Sequence, residues 1–269
     1  MELSIIIVNY KTKGLLKQCL RGIEDAHLPF ATEVVVVDND SGDGSVVMVQ
    51  KNFPLVKLIP SAVNLGFGAG MNLGFAQARG KYVLTLNTDV AIFGGAVEAL
   101  HQHLETHPRV GIAVPKLINP DGSTQLSTFR FPNFWVALWR RTPFGRLPGP
   151  HRTIQRFLMA DWSHQDSRPI GWALGAALFI RRQALAEVGF FDERFFLFIE
   201  DTDLCRRFWE RGWAVEYVPS AEMVHYHQRP SAVHERSGAI LSYPARRHIQ
   251  SWCKYFAKYA GAPRPPHSL

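Results

Sequence analysis

The residues Asn87, Thr88 and Asp89 directly follow a short apolar run at 82–86 that can form a buried strand. In an open parallel sheet, ligands bind just outside the carboxyl ends of the strands. An amide, a hydroxyl and a carboxylate at such a strand end can hold a hard divalent cation against phosphate groups. The same pattern also fits a capped strand end or a turn, so these three residues alone leave both interpretations open.

Two earlier apolar runs end in the same way. Residues 4–8 lead into Asn9 and Tyr10, and residues 33–37 lead into residues 38–40, which read Asp-Asn-Asp. Parallel strands bring their carboxyl ends to one edge of a sheet, so we expect the three polar clusters to converge there. Convergent polar groups of this kind are typical of a binding site for a nucleotide-sized ligand.

A second group of carboxylates, Glu200, Asp201 and Asp203, follows an aromatic run at 195–198. At the start of a helix, carboxylates are stabilised by the helix dipole and by free backbone N–H groups. One interpretation is therefore a helix with an acidic first turn and no further role. The other is a general base at the floor of a hydrophobic cleft, where aromatic walls raise the affinity of a carboxylate for its proton.

The elements that position these residues alternate strand and helix through the first half of the chain. Their lengths and order predict right-handed crossovers, and therefore an α/β fold with a mostly parallel sheet and helices on both faces. The expected strands are 4–8, 33–37, 56–59, 82–86, 111–115, 171–182 and 215–218, the last ending at Pro219. The expected helices are 13–25, 44–52, 68–78, 94–107, 183–188 and 201–211.

Composition is that of an ordinary globular protein, with 46% hydrophobic and 20% charged residues among 269. The amino terminus has an apolar run too short for a signal peptide, and no stretch is apolar for long enough to cross a bilayer. Cys19, Cys205 and Cys253 lack metal-binding or redox spacing. We therefore expect reduced thiols in a cytoplasmic protein.

The net charge of +7 is concentrated in two regions. Residues 128–160 contain six arginines, seven aromatic residues and no acid, and residues 221–269 contain seven basic and two acidic side chains. The first region is typical of a helix on anionic lipid or a lid over a lipid-diphosphate acceptor, and a packed surface loop is the alternative. A basic amphipathic helix at 246–256 would contact the same membrane or form a homodimer face. No nucleic-acid-binding motif is present, so we expect no nucleic acid partner.

Two nucleotide-binding motifs are missing. In dinucleotide-binding proteins G-x-G-x-x-G follows the first strand at once, but residues 9–12 contain no glycine, and the glycines at 66–70 come later with a different spacing. The P-loop sequence G-x-x-x-x-G-K-[ST] is absent as well. These observations disfavour a dinucleotide oxidoreductase and a P-loop ATPase.

Several motifs stand in a characteristic order along residues 3–227. They are 4–10 (SIIIVNY), 36–41 (VVDNDS), 64–72 (NLGFGAGMN), 86–89 (LNTD), 189–193 (GFFDE) with Phe195 and Phe196, 200–205 (EDTDLC), and Gly212 and Trp213 with Pro219 and His225. Together they resemble the family 2 glycosyltransferases of the GT-A fold, particularly a bacterial rhamnosyltransferase-like branch. The ordered set is far more specific than any single piece.

The resemblance implies transfer of one sugar, with inversion, from a nucleotide diphosphate sugar to an acceptor hydroxyl. Asp38 would accept a hydrogen bond from N3–H of uracil or thymine, Asp89 would contact a divalent metal and the diphosphate, and Asp201 would be the catalytic base. The glycine cluster would lie beneath the nucleotide sugar, although a tight loop without that role is the alternative. The implied donor side is Asn9, Tyr10, Asp38, Asn39, Asn64, Gly68, Asn72, Asn87, Thr88 and Asp89, and the implied acceptor side is Trp172, Glu200 and Asp203.

The implied metal site departs from the Asp-x-Asp pattern of many GT-A enzymes, because Asn87 stands in place of the first Asp. Binding of Mg²⁺ or Mn²⁺ would then depend on Asp89, with His225 as a further ligand. For His225 and His227, strand-end histidines without a metal are the alternative. The Gln-x-x-Arg-Trp motif of processive synthases is absent, so we expect an enzyme that transfers single sugars.

The hypothesis divides the chain into a nucleotide-sugar-binding half (1–115), an acceptor-side half with the base and the basic insertion (116–227), and a basic helical tail (228–269). We expect a cytoplasmic enzyme on the inner face of the cell membrane. It would use dTDP-rhamnose or a UDP-sugar and a glycan or lipid-linked acceptor in bacterial surface polysaccharide synthesis. Its rivals are a sugar nucleotidyltransferase, whose Gly-rich loop is missing here, and an inactive binding subunit of the same fold.

Overall fold

The computed structural model describes residues 1–226 and 243–269. The first half alternates strands and helices, as its apolar periodicity predicts. Helix α1, for example, buries Leu16, Cys19, Leu20 and Ile23, which recur at helical spacing on one face. The elements are β1 (Leu3–Asn9), α1 (Lys13–Asp25), β2 (Thr32–Asn39), α2 (Ser45–Asn52), β3 (Lys57–Ser61), α3 (Phe67–Phe75), β4 (Tyr82–Leu86), β5 (Val90–Ile92), α4 (Ala96–Thr106) and β6 (Val110–Ile118).

The second half has shorter and less regular elements. They are β7 (Thr128–Phe129), α5 (Phe134–Trp139), a 3₁₀ turn (Pro143–Arg146), α6 (Pro148–Phe157), β8 (Arg168–Pro169), β9 (Trp172–Ala173), β10 (Ala177–Arg181), α7 (Arg182–Val188), α8 (Glu200–Glu210), β11 (Ala214–His225) and α9 (Tyr243–Lys258). His227 and the first part of the predicted tail lie outside the described residues. Cys19, Cys205 and Cys253 are free thiols.

The main sheet has the strand order β3-β2-β1-β4-β10-β6-β11-β5, with β8 paired to β11. Strands β3, β2, β1 and β4 are parallel to one another, and β10 is antiparallel to both β4 and β6. Core residues cover both faces of the sheet. The predicted α/β class, with a mostly parallel nucleotide-binding part and helices on both faces, is confirmed.

Two predicted strands were wrong in their extent. The strand expected at 171–182 is split, because residues 174–176 leave the ladder between β9 and β10. The strand expected to end at Pro219 continues to His225, with a register shift between Val218 and Glu222. Proline has no N–H to give to a ladder, and a local irregularity of this kind lets a strand pass it.

The basic insertion at 128–160 has an ordered base. Strand β7 pairs with β9, and Phe129, Phe131, Val136 and Phe157 are buried in the same core as α8. The segment therefore packs on the second half, as one of the two sequence interpretations expects. Its outward side chains leave the lipid-contact interpretation open.

Helix α9 packs on the second half as well. Trp252 and Tyr255 share a buried cluster with Phe195 and Ile199. The division into three parts remains a prediction. No helix within 1–226 or 243–269 combines the length and apolar character needed to cross a membrane.

Candidate active site

Three polar side chains at the ends of β1 and β2 form a buried network, which we call the donor corner. Asn9 Nδ2 donates to Asp38 Oδ2 at 2.8 Å and to Ser41 Oγ at 2.9 Å. The backbone N–H of Ser41 donates to Asp38 Oδ1 at 3.1 Å. All three residues are at most 3% exposed. The network therefore fixes the orientation of the Asp38 carboxylate before any ligand arrives.

Thr12 connects this network to the polar end of β4. Its hydroxyl donates to Asn9 Oδ1 at 2.7 Å and lies 3.0 Å from the hydroxyl of Thr88. The backbone N–H of Asn87 donates to the carbonyl of Ala176, which ties the same corner to the second half. The predicted convergence of the polar strand ends is therefore present in the structure.

Tyr10 stands at the rim of the donor corner with an exposed ring, and Lys11 Nζ lies 5.1 Å from the ring centroid. Lys11 adopts a left-handed backbone with φ 56°. Its backbone N–H donates to Ser41 Oγ at 3.0 Å, which holds this turn in place. An accessible aromatic face beside a fixed carboxylate suits a planar base.

Asn39 holds the glycine loop beside the donor corner. Its Oδ1 accepts from the backbone N–H of Leu65 at 2.9 Å, and its Nδ2 donates to Asn64 Oδ1 at 3.1 Å. Gly66 has φ 86°, and a Cβ there would lie 2.3 Å from the carbonyl oxygen of Phe196. Only glycine allows this conformation and this close approach. The loop is tight, as one interpretation predicts, and it also contacts the segment that carries the second carboxylate group.

Helix α8 begins after a strained turn, and its first two residues form what we call the base corner. Phe198 and Ile199 have φ 67° and 72°, a left-handed conformation that costs a residue other than glycine about 1–3 kcal/mol. The turn directs Asp201 toward Gly175, whose backbone N–H donates to Oδ2 at 3.0 Å. The backbone N–H of Thr202 donates to Oδ1 at 2.7 Å.

Burial dominates the electrostatics of the base corner. It raises the pKa of Asp201 to about 6, although the two backbone N–H donors oppose the shift. Burial and then the charge of Asp201 raise the pKa of Glu200 well above its usual range. Among the described residues, Glu200 Oε2 meets no hydrogen-bond partner. Two adjacent carboxyl groups with separated proton affinities are the arrangement in which one remains neutral and the other acts as a base.

Helix α9 also contacts the strained turn. Ser251 Oγ donates to the carbonyl of Leu197 at 2.9 Å, and the ring of His248 stacks on Phe198 at 4.7 Å. Since strain persists only where surrounding contacts hold it, these contacts are part of what positions Asp201.

Asp89 and His225 lie side by side at the end of β4 and β11. Asp89 Oδ1 is 3.4 Å from His225 Nε2, and His225 Nδ1 is 2.7 Å from Gln125 Oε1. The ring of His225 thus presents Nε2 to the Asp89 carboxylate. A carboxylate oxygen and an imidazole nitrogen this close together are both ligand types that a divalent cation accepts.

Comparison with known proteins identifies the family. Residues 4–162 match the family described as Glycosyl transferase family 2, and residues 135–261 match Glycosyl transferase family group 2. An N-acetylglucosaminyl-diphospho-decaprenol L-rhamnosyltransferase of Mycobacterium tuberculosis is 31% identical, over 93% of this chain and 86% of its own length. The chain belongs to glycosyltransferase family 2. It is a glycosyltransferase, and inversion is general to this family.

Further relatives agree with this assignment. Rhamnosyltransferase WbbL of Escherichia coli is 23% identical over 94% of this chain and 92% of its own length. The crystal structure of GalNAc-T7 with UDP, GalNAc and Mn²⁺ has a TM-score of 0.63 at 18% identity, covering 84% of this chain and 44% of GalNAc-T7. Residues 1–349 of S. aureus TarS have a TM-score of 0.58 at 16% identity, covering 96% and 72% of the two chains. The predicted family and the predicted GT-A fold are confirmed.

Three predicted site residues of the glycosyltransferase make contacts within the protein. Asn72 donates to and accepts from the backbone of Phe191, at 3.0 Å each. Trp172 is buried and donates to the carbonyl of Arg130 at 3.1 Å. Asp203 is 0% exposed. Its carboxylate binds Arg207, Lys258 and Tyr259.

The structure therefore gives these residues supporting tasks. Asp203 is fully buried and anchors α9 to α8 through these contacts, so its acceptor-side role stays a prediction. Trp172 joins the insertion to β9. Asn72 holds the backbone of Phe191 against α3. Gly68 of the same helix also lies close to Phe191. Their roles toward a substrate remain predictions.

Four residues of the glycosyltransferase site were missed by sequence reasoning. Ser41 stands directly after the 38–40 cluster and has a hydroxyl, so its position gave a usable signal. Thr12, Gln125 and Gly175 are brought in by tertiary structure, and Gly175 contributes only its backbone N–H. Every residue except proline has a backbone N–H, so no side-chain pattern could predict this donor.

A second group of candidate metal ligands lies at the opposite edge of the sheet. Glu2, His101 and Glu105 lie close enough together to share an ion. The ammonium of Lys81 binds Glu105 and lies 4.0 Å from Glu2. A lysine already supplies the positive charge there, so this group serves as a surface ion-pair cluster.

Proposed function

We propose that this glycosyltransferase moves one sugar from a nucleotide diphosphate sugar to a hydroxyl of a lipid-linked or glycan acceptor in bacterial surface polysaccharide synthesis. The observation that carries the proposal is the buried Asp201 carboxyl, held by the N–H of Gly175, whose chain neighbour Ala176 accepts from the N–H of Asn87 at the polar end of β4. The glycine loop joins the two sides, since the N–H of Phe67 donates to the carbonyl of Phe196 at 3.0 Å.

The donor corner suits a pyrimidine nucleotide. Asp38 is an acceptor whose orientation Asn9 and Ser41 fix, and N3–H of uracil or thymine is a donor. The ring of Tyr10 is exposed for stacking on the base. The names of the M. tuberculosis and E. coli relatives support a rhamnosyl donor, so dTDP-rhamnose is our first choice and a UDP-sugar our second.

The chemical step requires one base on the face opposite the leaving group. The acceptor oxygen forms a bond to the anomeric carbon while the bond from that carbon to the diphosphate breaks, and Asp201 takes the proton of the acceptor hydroxyl. A pKa of about 6 leaves Asp201 mostly ionised at neutral pH and a stronger base than an exposed aspartate. Burial and the charge of Asp201 raise the pKa of Glu200, and in its protonated form Glu200 would donate a hydrogen bond to a sugar oxygen.

A divalent cation fits beside the diphosphate. Asp89 and His225 would hold Mg²⁺ or Mn²⁺, and Asn87 and Thr88 would contribute neutral oxygens nearby. When bound, the cation would supply positive charge for the departing diphosphate. The presence of UDP and Mn²⁺ in the GalNAc-T7 structure supports this proposal.

The relatives support a proposal for the acceptor and for the cellular location. The M. tuberculosis relative is named for an acceptor on decaprenyl diphosphate, a membrane lipid carrier. A lipid-linked acceptor would place this chain on the cytoplasmic face of the membrane as a peripheral protein. The basic tail would also offer a face for a homodimer.

The test is a panel of nucleotide sugars in thermal-shift assays with and without Mn²⁺, followed by transfer assays on a short-chain lipid diphosphate acceptor. We expect dTDP-rhamnose or a UDP-sugar to raise the melting temperature, because a ligand that binds only the folded state stabilises it. We expect Mn²⁺ to enhance this shift in the wild type but not in the Asp89→Ala variant. Preference for a purine nucleotide sugar, or formation of a nucleotide sugar from sugar phosphate, would contradict the proposal.

A further inference from the structure

The outward face of helix α5 is apolar, which is the reverse of an ordinary surface helix. Val136 is buried against the core, while Phe134, Trp135 and Leu138 are 57%, 55% and 41% exposed. Asn133 caps the helix by accepting from the backbone N–H of Val136 at 3.0 Å. The helix is therefore held in place, with its large apolar side chains directed to solvent.

The following 3₁₀ turn extends the same surface. Phe144 is 65% exposed and Leu147 is 53% exposed. Of the seventeen exposed large apolar side chains in the part of the chain that the structure describes, five lie within residues 134–147. Single exposed apolar residues need no explanation, but a concentration of this kind marks an interaction surface.

The charged side chains of the segment that carries this surface have one sign. Residues 128–160 contain six arginines and no acid, and five of the arginines are exposed. The exposed ones are Arg140, Arg141, Arg146, Arg152 and Arg156. In a two-fold dimer the same patch would face itself, so arginines would meet arginines. The charge therefore favours an anionic partner over a second copy of the chain.

Strands β7 and β9 on one side and helix α9 on the other connect this surface to the base corner. Strand β7 leads into the insertion and pairs with β9, two residues before Gly175, whose N–H holds Asp201. On its other side α5 contacts α9, since the rings of Phe134 and Phe256 lie 5.8 Å apart. A partner on this face would be held near the acceptor side of the cleft.

We propose that the surface formed by Phe134, Trp135, Leu138, Phe144 and Leu147, together with the exposed arginines of 128–160, docks the enzyme on an anionic lipid bilayer. Trp and Phe side chains enter the interface between headgroups and acyl chains, and arginines bind lipid phosphates. The inference rests on the proposed function only in that a lipid-linked acceptor gives membrane docking a purpose. We call this surface the membrane face.

The test measures binding to vesicles of phosphatidylglycerol with phosphatidylcholine, and to vesicles of phosphatidylcholine alone. The apolar variant is Trp135→Ser, Leu138→Ser and Phe144→Ser combined. Its matched control is Val47→Ser, Leu55→Ser and Val63→Ser, three side chains that are 66%, 97% and 57% exposed elsewhere. A charge variant combines Arg146→Gln and Arg152→Gln. Melting temperatures check that each variant is folded.

We expect the wild type and the matched control to bind the anionic vesicles and to bind neutral vesicles weakly. The apolar variant should lose tenfold or more in affinity, and the charge variant about fivefold for each arginine removed. Retained binding by a folded apolar variant would overturn the proposal, as would equal binding to neutral vesicles. Self-association of the wild type in sedimentation velocity without lipid, abolished in the apolar variant, would reassign the face to a dimer and also overturn it.

Activity separates this inference from the proposed function. On a water-soluble acceptor the apolar variant should turn over like the wild type, whereas on an acceptor embedded in anionic vesicles it should be slower. Equal loss on both acceptors would mean that the substitutions damage the active site, and the docking proposal would fail. If neither protein transfers sugar but vesicle binding still depends on the membrane face, the proposed function fails and the docking inference stands.

Discussion

The donor corner and the base corner each bury a carboxylate, but different partners hold it. Asp38 accepts from a side-chain amide and a backbone N–H in a network that also uses Ser41, and each member has a partner. Asp201 accepts mainly from backbone N–H groups, and burial outweighs them and raises its pKa to about 6. Beside it, Glu200 Oε2 meets no hydrogen-bond partner among the described residues.

The difference reflects what each carboxylate is proposed to do. Hydrogen bonds from Asn9 and Ser41 hold the Asp38 carboxylate in one orientation, which suits a fixed acceptor for a base. Removal of water raises the affinity for a proton, which suits a group that must take one. One cleft thus combines a binding carboxylate and a catalytic carboxylate by giving them different surroundings.

The largest expected effect is at the base corner. We expect Asp201→Asn to lower the transfer rate a hundredfold or more, the usual size of a general-base contribution, and to leave donor affinity within about twofold. Single-turnover assays give the rate, and calorimetry with the nucleotide diphosphate gives the affinity. The matched control is Asp161→Asn, an exposed aspartate of the second half. Near-normal transfer by a folded Asp201→Asn variant would remove Asp201 from the role of base.

A smaller effect, on donor affinity and not on the transfer rate, is expected at the donor corner. Asp38→Ala should weaken donor binding about 10–100-fold, the equivalent of about 1.5–3 kcal/mol for a hydrogen bond to a charged group. The rate at saturating donor should change much less. A nucleotide methylated at N3 tests the contact directly, because it cannot donate to Asp38.

Binding of the normal and the methylated nucleotide to the wild type and to Asp38→Ala gives four affinities, which form a thermodynamic cycle. The wild type should discriminate against the methylated nucleotide, and Asp38→Ala should bind both forms about equally. Asp40→Asn is the control, since Asp40 is exposed and asparagine tolerates its left-handed φ of 63°. Equal discrimination by the wild type and Asp38→Ala would show that Asp38 does not read the pyrimidine.

The two corners also differ in how far the sequence could predict them. At the donor corner, each element is a buried strand that ends in polar residues, and parallel pairing alone brings Asn9 and Asp38 to one edge. The fold class and the parallel first half could be predicted from this local pattern. Only Ser41 and Thr12 were missed, and both lie within three residues of predicted site residues.

The base corner depends on contacts between segments that are distant in sequence. The backbone N–H of Gly175 reaches Asp201 across 26 positions, and Ser251 reaches Leu197 across 54. The left-handed Ile199 contradicts its own conformational preference, because a β-branched residue rarely adopts positive φ. Such strain is imposed by packing, so residue propensities could not predict it. The same applies to Asp203, whose acidic first-turn position gave no sign of its contacts with Lys258 and Tyr259.

The last prediction concerns pH and tests whether desolvation sets the chemistry at the base corner. The base must be ionised to accept a proton, and the pKa of Asp201 is raised to about 6, so activity should rise as pH increases through that value. Between pH 5 and pH 7 the ionised fraction of such a group, and with it kcat/KM, increases about tenfold. Glu200→Gln retains the burial and the backbone N–H donors that set the pKa of Asp201, so it should leave the midpoint near the same pH even if it lowers the rate. A midpoint near 4 would mean that Asp201 is solvated in the working enzyme, and a clear shift in Glu200→Gln would mean that the two carboxyl groups share the proton.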